Sequence, residues 1–549
     1  MTACRLAEEG MSVCVLERGQ AWPPGTFPRS PRDMATKGFW DPSAGRYGLF
    51  NVWSFPGFGA LVSSGLGGGS LIYANVLFRK DANTFDDPDE SWPVDREDLE
   101  PHYERVEPVL SGGPYPIEEQ PFAGTAKTRA MKAAGDGLSQ RPGHGETRFV
   151  LPNLAIAFGN EGEPPRPGVE LRDAPPSVHD VEHPRLSCLL TGECDLGCNY
   201  GSKKTLDLNF LGMAKQAGAT IKPSCEVTRI APLEDGYRVT FVDHSELART
   251  REPRRPGFPE QTMTARRLIL CAGTLGTTFL MLKCRDEFPN VDQRVLGSGF
   301  SSNGDLLTFL IKARTATNGG PRILEPSYGP VITSAIRVPA DDRRRGHYIE
   351  DAGYPYLLSW LVEFMTLGAA KRLVQHRFRG ALDRLVGRSP DTDLGAEFAE
   401  IVGEGLLTSS SSPLLSMGRD HRGGRFTLDG GRLTSDWDPD ASDDFFDELT
   451  DTLRQVAEVL GGDFRDSRIR GLSKLVTVHP LGGCPMAADE QRGVVDPFGQ
   501  SFAYPGLYIA DGSVMPGPVG PNPSLTIAAL ADRFAGSMLE ERPPAASSG

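Results

Sequence analysis

RRLILCAGTLGTTFLMLK, residues 266–283, decides the fold. The apolar stretch 267–271 reads as a strand. Ala272 and Gly273 follow, then a small-residue turn, then a helix predicted to begin near Thr277. A strand entering a helix through glycine presents backbone N–H groups and a positive helix end to a phosphate-bearing ligand. Tight strand–helix packing is the other reading of the same glycine. A related piece opens the chain. Residues 2–9 read as helix, Gly10 ends it, and Val13, Val15 and Leu16 form a short strand running into Glu17, Arg18 and Gly19. Helix, glycine, strand and terminal acid match the second half of a βαβ dinucleotide-binding unit, in which the acid meets ribose hydroxyls. A solvated Glu on an ordinary α/β turn is the alternative.

Outward from these pieces, SSGLGGGSLIYAN at 63–75 sets Gly65, Gly67, Gly68 and Gly69 before an apolar run, where a planar or phosphorylated ligand can approach bare backbone. Residues 20–60 are rich in Pro, Gly and aromatics and read as mostly loop. Residues 81–185 are polar, with helices predicted near 96–110 and 125–138 and a linker at 161–168. A helix is expected over 205–217 and strands over 219–224, 226–233 and 237–242, followed by a charged loop at 243–262. DLLTFLI and HYIED, within 304–350, suggest antiparallel strands. Residues 370–388 place apolar side chains at helical spacing opposite six Lys and Arg, either a core-packed helix or one lying on a membrane surface.

Composition bounds the class. The chain has 549 residues, 39% hydrophobic and 24% charged, which excludes a wholly disordered, collagen-like or integral membrane protein. A net charge of −14 argues against general nucleic-acid binding. Nine cysteines are too sparse for a disulfide scaffold, so mostly buried free thiols are expected. Cys188, Cys194 and Cys198 lack a nearby fourth ligand, so no metal is expected. No apolar run reaches 18 residues and no signal peptide is visible, which points to a cytoplasmic or peripheral membrane protein.

The chemistry concentrates near the C-terminus. His479 stands in HPLGGC, 479–484. A strand at 506–513 ends in Asp511 and Gly512, and a Pro/Gly loop presents Asn522 in PNPSLT before a helix from about Ser524. A neutral His can take the proton of an alcohol, and an Asn amide can both donate to and accept from the same hydroxyl.

LERG at 16–19, GLGGGSLIYAN at 65–75, GCNYGSKKTLDLNFL at 197–211, EVTRI at 226–230, LCAGTLGTTFLML at 270–282, HPLGGC and LYIADGSVMPGPVGPNPSLTIAALADR at 507–533 together resemble the GMC (glucose–methanol–choline) flavin oxidoreductases. LGTT after the glycine and HPLGGC itself resemble the cholesterol oxidase-like subgroup. The resemblance implies an α/β (α+β overall) fold: a Rossmann-like FAD-binding domain with a sheet-rich substrate-binding domain inserted. The expected division is 1–80, 187–303 and 472–540 for FAD, 81–186 and 304–471 for substrate, and a disordered tail at 541–549. It further implies FAD held by Glu17, Gly68, Gly69, Ser70, Asn75, Val227, Gly273, Asp511 and Gly512. His479 and Asn522 would hold a hydroxyl. Glu350 would shift a double bond if the substrate is a 3-hydroxy-5-ene sterol, with Glu363 as its rival. The implied partners are an apolar alcohol or sterol, oxygen or another electron acceptor, and a peripheral membrane contact through 355–388.

One departure stands out. The family opens with a strand and a Gly-x-Gly-x-x-Gly turn, whereas this sequence begins just after it. A start lying further upstream is the expectation. A truncated, non-catalytic relative that does not retain FAD is the alternative.

Overall fold

Two parallel strand pairs frame the molecule. Cys14–Leu16 pairs with Thr220–Lys222, and Leu268–Leu270 with Leu507–Ile509. The computed structural model describes residues 1–87, 90–180, 184–341, 344–354, 409–466 and 475–541. Helix Thr2–Glu8 packs on helices Phe210–Gln216 and Ser524–Glu540. A separate antiparallel sheet is formed by Cys225–Leu233, Gly236–Asp243 and Gln261–Ala265. The α/β expectation therefore holds.

The helix after Leu268–Leu270 runs over Gly273–Lys283, four residues earlier than the predicted start near Thr277. The cause is a distant cap. The Asp511 carboxylate accepts from Gly273 N at 2.9 Å and Thr277 Oγ1 at 2.5 Å, satisfying the first turn from outside the segment. Gly273 itself takes φ +76°, which a side chain would strain.

A six-stranded antiparallel sheet runs in the order Asp463–Asp466, Leu306–Ile311, Ser412–Gly418, His347–Asp351, Ala335–Val338, Arg148–Val150. Helices Ala126–Ser139 and Asp443–Val459 pack against it. Helix Arg96–Leu110 instead packs on Ser524–Glu540, burying Leu99, Tyr103, Val106 and Leu110 at spacings of three and four. An Asp95–Asp98 capping box starts it.

Three segments differ from expectation. Residues 20–60, read as mostly loop, contain strand Phe50–Ser54 and the start of Phe58–Ser63, which pairs with Leu475–Thr477. Stacked Phe55, Phe58 and Phe300 rings bury this sheet. The 205–217 helix is shorter: a 3₁₀ turn at Leu206–Leu208 breaks at Asn209, whose side chain accepts from Phe210 N at 2.6 Å and starts Phe210–Gln216. The loop at 243–262 carries helix Ser245–Thr250 and the beginning of strand Gln261–Ala265. The basic segment 355–388, Glu363 and residues 542–549 of the tail lie outside the described residues. No helix among the described residues is long and apolar enough to cross a membrane.

Candidate active site

Backbone proximity assembles the glycine segments. A Cβ on Gly19 would overlap Ser64 and Gly65, so LERG and SSGLGGG cross in direct contact. Leu66 N donates to Gln20 O at 2.9 Å and seals the crossing. Gly68 (φ +57°) and Gly69 follow, and at neither would an added Cβ meet any atom within 4 Å. The same is true of Gly273. These three therefore line open space, as a ligand cradle requires.

The polar groups around these glycines divide into two kinds. Asn75, fully buried at φ +73°, has neither side-chain atom hydrogen-bonded among the described residues. An orphaned buried amide is costly, and a hydrogen-bonding group from outside the chain would relieve that cost. Glu17, half-buried at the end of its strand, accepts from Gly19 N at 2.7 Å, and burial pushes its carboxyl up to about 7. Its remaining lone pairs suit hydroxyl donors. Val227 lies at a register shift in its strand and is partly buried.

Ser70, Asp511 and Gly512 are engaged by the protein itself. Ser70 Oγ donates to Gly67 O at 2.7 Å and accepts from Leu206 N at 3.0 Å. Asp511 takes Gly273 N, Thr277 Oγ1, Ser513 N and Ser513 Oγ, which occupies both carboxylate oxygens. Burial raises its pKa. A Cβ on Gly512 would sit 2.7 Å from Thr274 Oγ1, so that glycine serves close packing. Asp511 thus joins the two glycine-bearing segments and does not project a free carboxylate.

His479 follows strand Leu475–Thr477. Its Nδ1 lies 2.7 Å from Asp305 Oδ1, while Asp305 Oδ2 accepts from Thr477 Oγ1 at 2.8 Å, Val478 N at 2.8 Å and His479 N at 3.0 Å. Asn522 is buried and donates from Nδ2 to Glu350 Oε2 at 3.4 Å. Glu350, on strand His347–Asp351, is wholly buried, and burial holds its pKa well above the ordinary value. Among the described residues, Asn522 Oδ1 and Glu350 Oε1 have no hydrogen-bond partner. The structure therefore brings Asn522 and Glu350 together, and it holds His479 through a residue that motif reading missed.

That residue, Asp305, belongs to SSNGD at 301–305. Its signal was visible as a polar run directly before the apolar strand DLLTFLI. Two residues earlier, Asn303 Oδ1 accepts from Val519 N at 2.9 Å and Gly520 N at 3.0 Å, gripping the loop that ends in Asn522. The motif glycines Gly482 and Gly483 face Gly299 and Thr278 so closely that a Cβ on either would overlap them. HPLGGC, GSGF and LGTT are thus one packed unit. In the cysteine-bearing segment, Lys203 Nζ donates to Leu71 O at 3.1 Å and Cys194 O at 2.9 Å, clasping the glycine loop, and burial lowers this lysine to about 8. Among the described residues, no group of three His, Cys, Asp or Glu is placed to hold a metal ion.

Residues 434–531, which include His479 and Asn522, match the C-terminal family model described as GMC oxidoreductase. The chain is 29% identical to a cholesterol oxidase of Mycobacterium tuberculosis, over 97% of this chain and 88% of that protein. It is 26% identical to a cholesterol oxidase of Acinetobacter baumannii, over 97% and 91%. Its fold is similar to the crystal structure of pyridoxine 4-oxidase from Mesorbium loti, with a TM-score of 0.59 at 16% identity, covering 99% and 97% of the two chains. A glycine cradle, a carboxylate-held histidine and a buried Asn–Glu pair stand on a chain that is similar to these proteins over nearly its whole length and that carries, over residues 434–531, the match to the GMC oxidoreductase C-terminal model.

Proposed function

We propose that this chain binds FAD and oxidises a sterol or another bulky apolar secondary alcohol to a ketone. GMC oxidoreductases are generally FAD-dependent. Open backbone at Gly68, Gly69 and Gly273, the orphaned Asn75 amide and the strand-end Glu17 carboxyl fit a dinucleotide. When bound, FAD supplies the two-electron acceptor for the carbinol C–H. Residues 1–80, 187–303 and 472–540 form its domain, and 81–186 and 304–471 that of the substrate. Glu17 serves the ribose, and Val227 lies at the adenine. Ser70, Asp511 and Gly512 act by shaping the cradle.

The observation that carries the reading is the buried Asn522–Glu350 contact, with one oxygen on each side chain lacking a partner among the described residues, on a loop tied by Asn303 to the same turn whose Asp305 holds His479. His479 accepts the hydroxyl proton, and Asn522 orients the oxygen as that proton leaves. A carboxyl whose pKa is raised by burial is a stronger base once ionised, so Glu350 can move a proton between carbons of a 3-keto-5-ene product. Oxygen or another acceptor removes the electrons.

The test is to purify the chain, record its visible spectrum and follow oxidation of a 3-hydroxy-5-ene sterol. Bound flavin and ketone formation are expected. A colourless folded protein, or flavoprotein inert to all bulky alcohols, overturns the reading. In His479→Ala, turnover is expected to fall by about 10²–10⁴-fold, the contribution of a positioned base, with flavin retained. Wild-type turnover in that variant removes His479 from the chemistry.

A further inference from the structure

We infer that Asp305 is the positioning residue that selects the ring tautomer of His479, and that its turn, Ser301–Asp305, sets His479 and Asn522 relative to each other. This rests on the reading of His479 as the proton acceptor.

Asp305 is 1% exposed, and its carboxylate meets four donors. Three of them, Thr477 Oγ1, Val478 N and His479 N, converge on Oδ2. Oδ1 is left for the ring. A carboxylate oxygen offers only lone pairs, so the nitrogen facing it, Nδ1, carries the hydrogen. In the neutral ring Nε2 is then the bare nitrogen, the form a proton acceptor needs. The backbone contacts do a second job. Residues 477–479 cannot rotate without breaking bonds to the carboxylate that orients the ring.

Asn303 serves the other half of the site. Its Oδ1 accepts from Val519 N and Gly520 N, and its Nδ2 donates to Pro521 O at 3.0 Å and Gly520 O at 3.4 Å. Only an amide side chain can present acceptor and donors together to such a loop; a carboxylate would face the two carbonyls with lone pairs. Asn303 also occupies φ +56°, a region Asn tolerates better than most residues. The turn is itself pinned. Asp420 accepts from Ser301 Oγ at 2.5 Å, and from Ser302 N and Ser302 Oγ, each at 2.9 Å. Two groups far apart in the chain therefore take their positions from residues 303 and 305 of one rigid turn.

The test is ¹⁵N NMR of histidine-labelled protein, with His479→Gln identifying the His479 signals among nine histidines. In wild type the neutral form of the ring is expected to carry its hydrogen on Nδ1; a neutral form protonated at Nε2 overturns the inference without any Asp305 variant. Asp305→Asn places an amide NH₂ against either Nδ1 or the Oδ2 donors. The Nδ1–H form is expected to lose its dominance, and kcat to fall by about 10²-fold with KM little changed. An unchanged tautomer in a folded Asp305→Asn protein overturns the inference. Asn303→Ala is expected to leave the His479 tautomer intact while raising KM; unchanged KM refutes the role of the turn. If His479→Gln keeps wild-type turnover, the catalytic reading fails while the tautomer measurement still decides the positioning claim.

Discussion

Glu350 and Asn522 share a buried contact in which each keeps one oxygen without a partner among the described residues. Leaving such atoms unsatisfied costs about 1–3 kcal/mol each, which a stable fold retains where a ligand completes the bonding. Glu350→Gln preserves the side-chain size and removes the proton acceptor. With a 3-hydroxy-5-ene sterol, oxidation is expected to continue within about tenfold of wild type while the double bond stays in place, so the unconjugated ketone accumulates. Conjugated ketone formed at the normal rate would assign the shift elsewhere. Motif reading reached Glu350 and Asn522 as separate expectations. Their contact was not legible, because it joins a strand of the six-stranded sheet to a loop 172 residues away.

Among the elements, the HPLGGC segment shows why certain glycines stand where they do. Gly482 takes φ +84°, and a Cβ there would overlap the carbonyl oxygen of Gly299. Gly482 N donates to Gly512 O at 3.0 Å, and Cys484 N to Ser513 O at 2.9 Å, so this segment is laced to the one that follows strand Leu507–Ile509. Gly482→Ala therefore meets both backbone strain and collision. It is expected to lower stability by at least about 2 kcal/mol, read as a drop of several degrees in Tm. An unchanged Tm would show that the segment can shift freely. The shift of a helix start from near Thr277 to Gly273 has a similar cause: its cap comes from Asp511, which no local pattern near residue 273 reveals.

At the scale of the whole molecule, several buried carboxyls decide the pH response. Burial raises Glu17 to about 7, and Asp195 and Asp420 each to about 6. Folded protein keeps these protons where the unfolded chain, with ordinary values of 4.5 for Glu and 3.8 for Asp, has released them. Stability therefore falls as pH rises through the window from about 4 to about 7. Glu226 and Asp532 have the opposite sign. Hydrogen bonds from His244 and His102, with nearby arginines, hold them below their ordinary values, and their contribution is lost on acidification through those lower values. The flavin-free chain is expected to melt at a higher temperature at about pH 5 than at about pH 7.5, measured calorimetrically. A higher Tm at pH 7.5 would mean that the raised carboxyls do not govern the profile. The comparison stays below pH 8, since Lys203, lowered to about 8, adds stability with rising pH above that value.

The sequence alone determined the class and its parts: the glycine crossovers, the strand-end Glu17, and the Gly/Pro segments around His479 and Asn522. These were legible because glycine and proline restrict backbone locally, and a dinucleotide needs bare backbone at particular places. Only the tertiary structure decided which of those residues face open space and which are spent on packing. Gly68, Gly69 and Asn75 remain available, whereas Ser70, Asp511 and Gly512 are taken by their neighbours. It also supplied Asp305 and Asn303. Hydrogen bonds that orient a site span 174 residues from Asp305 to His479 and 216 from Asn303 to Val519. Local propensity carries no record of such distant partners, because they are chosen by how the segments pack.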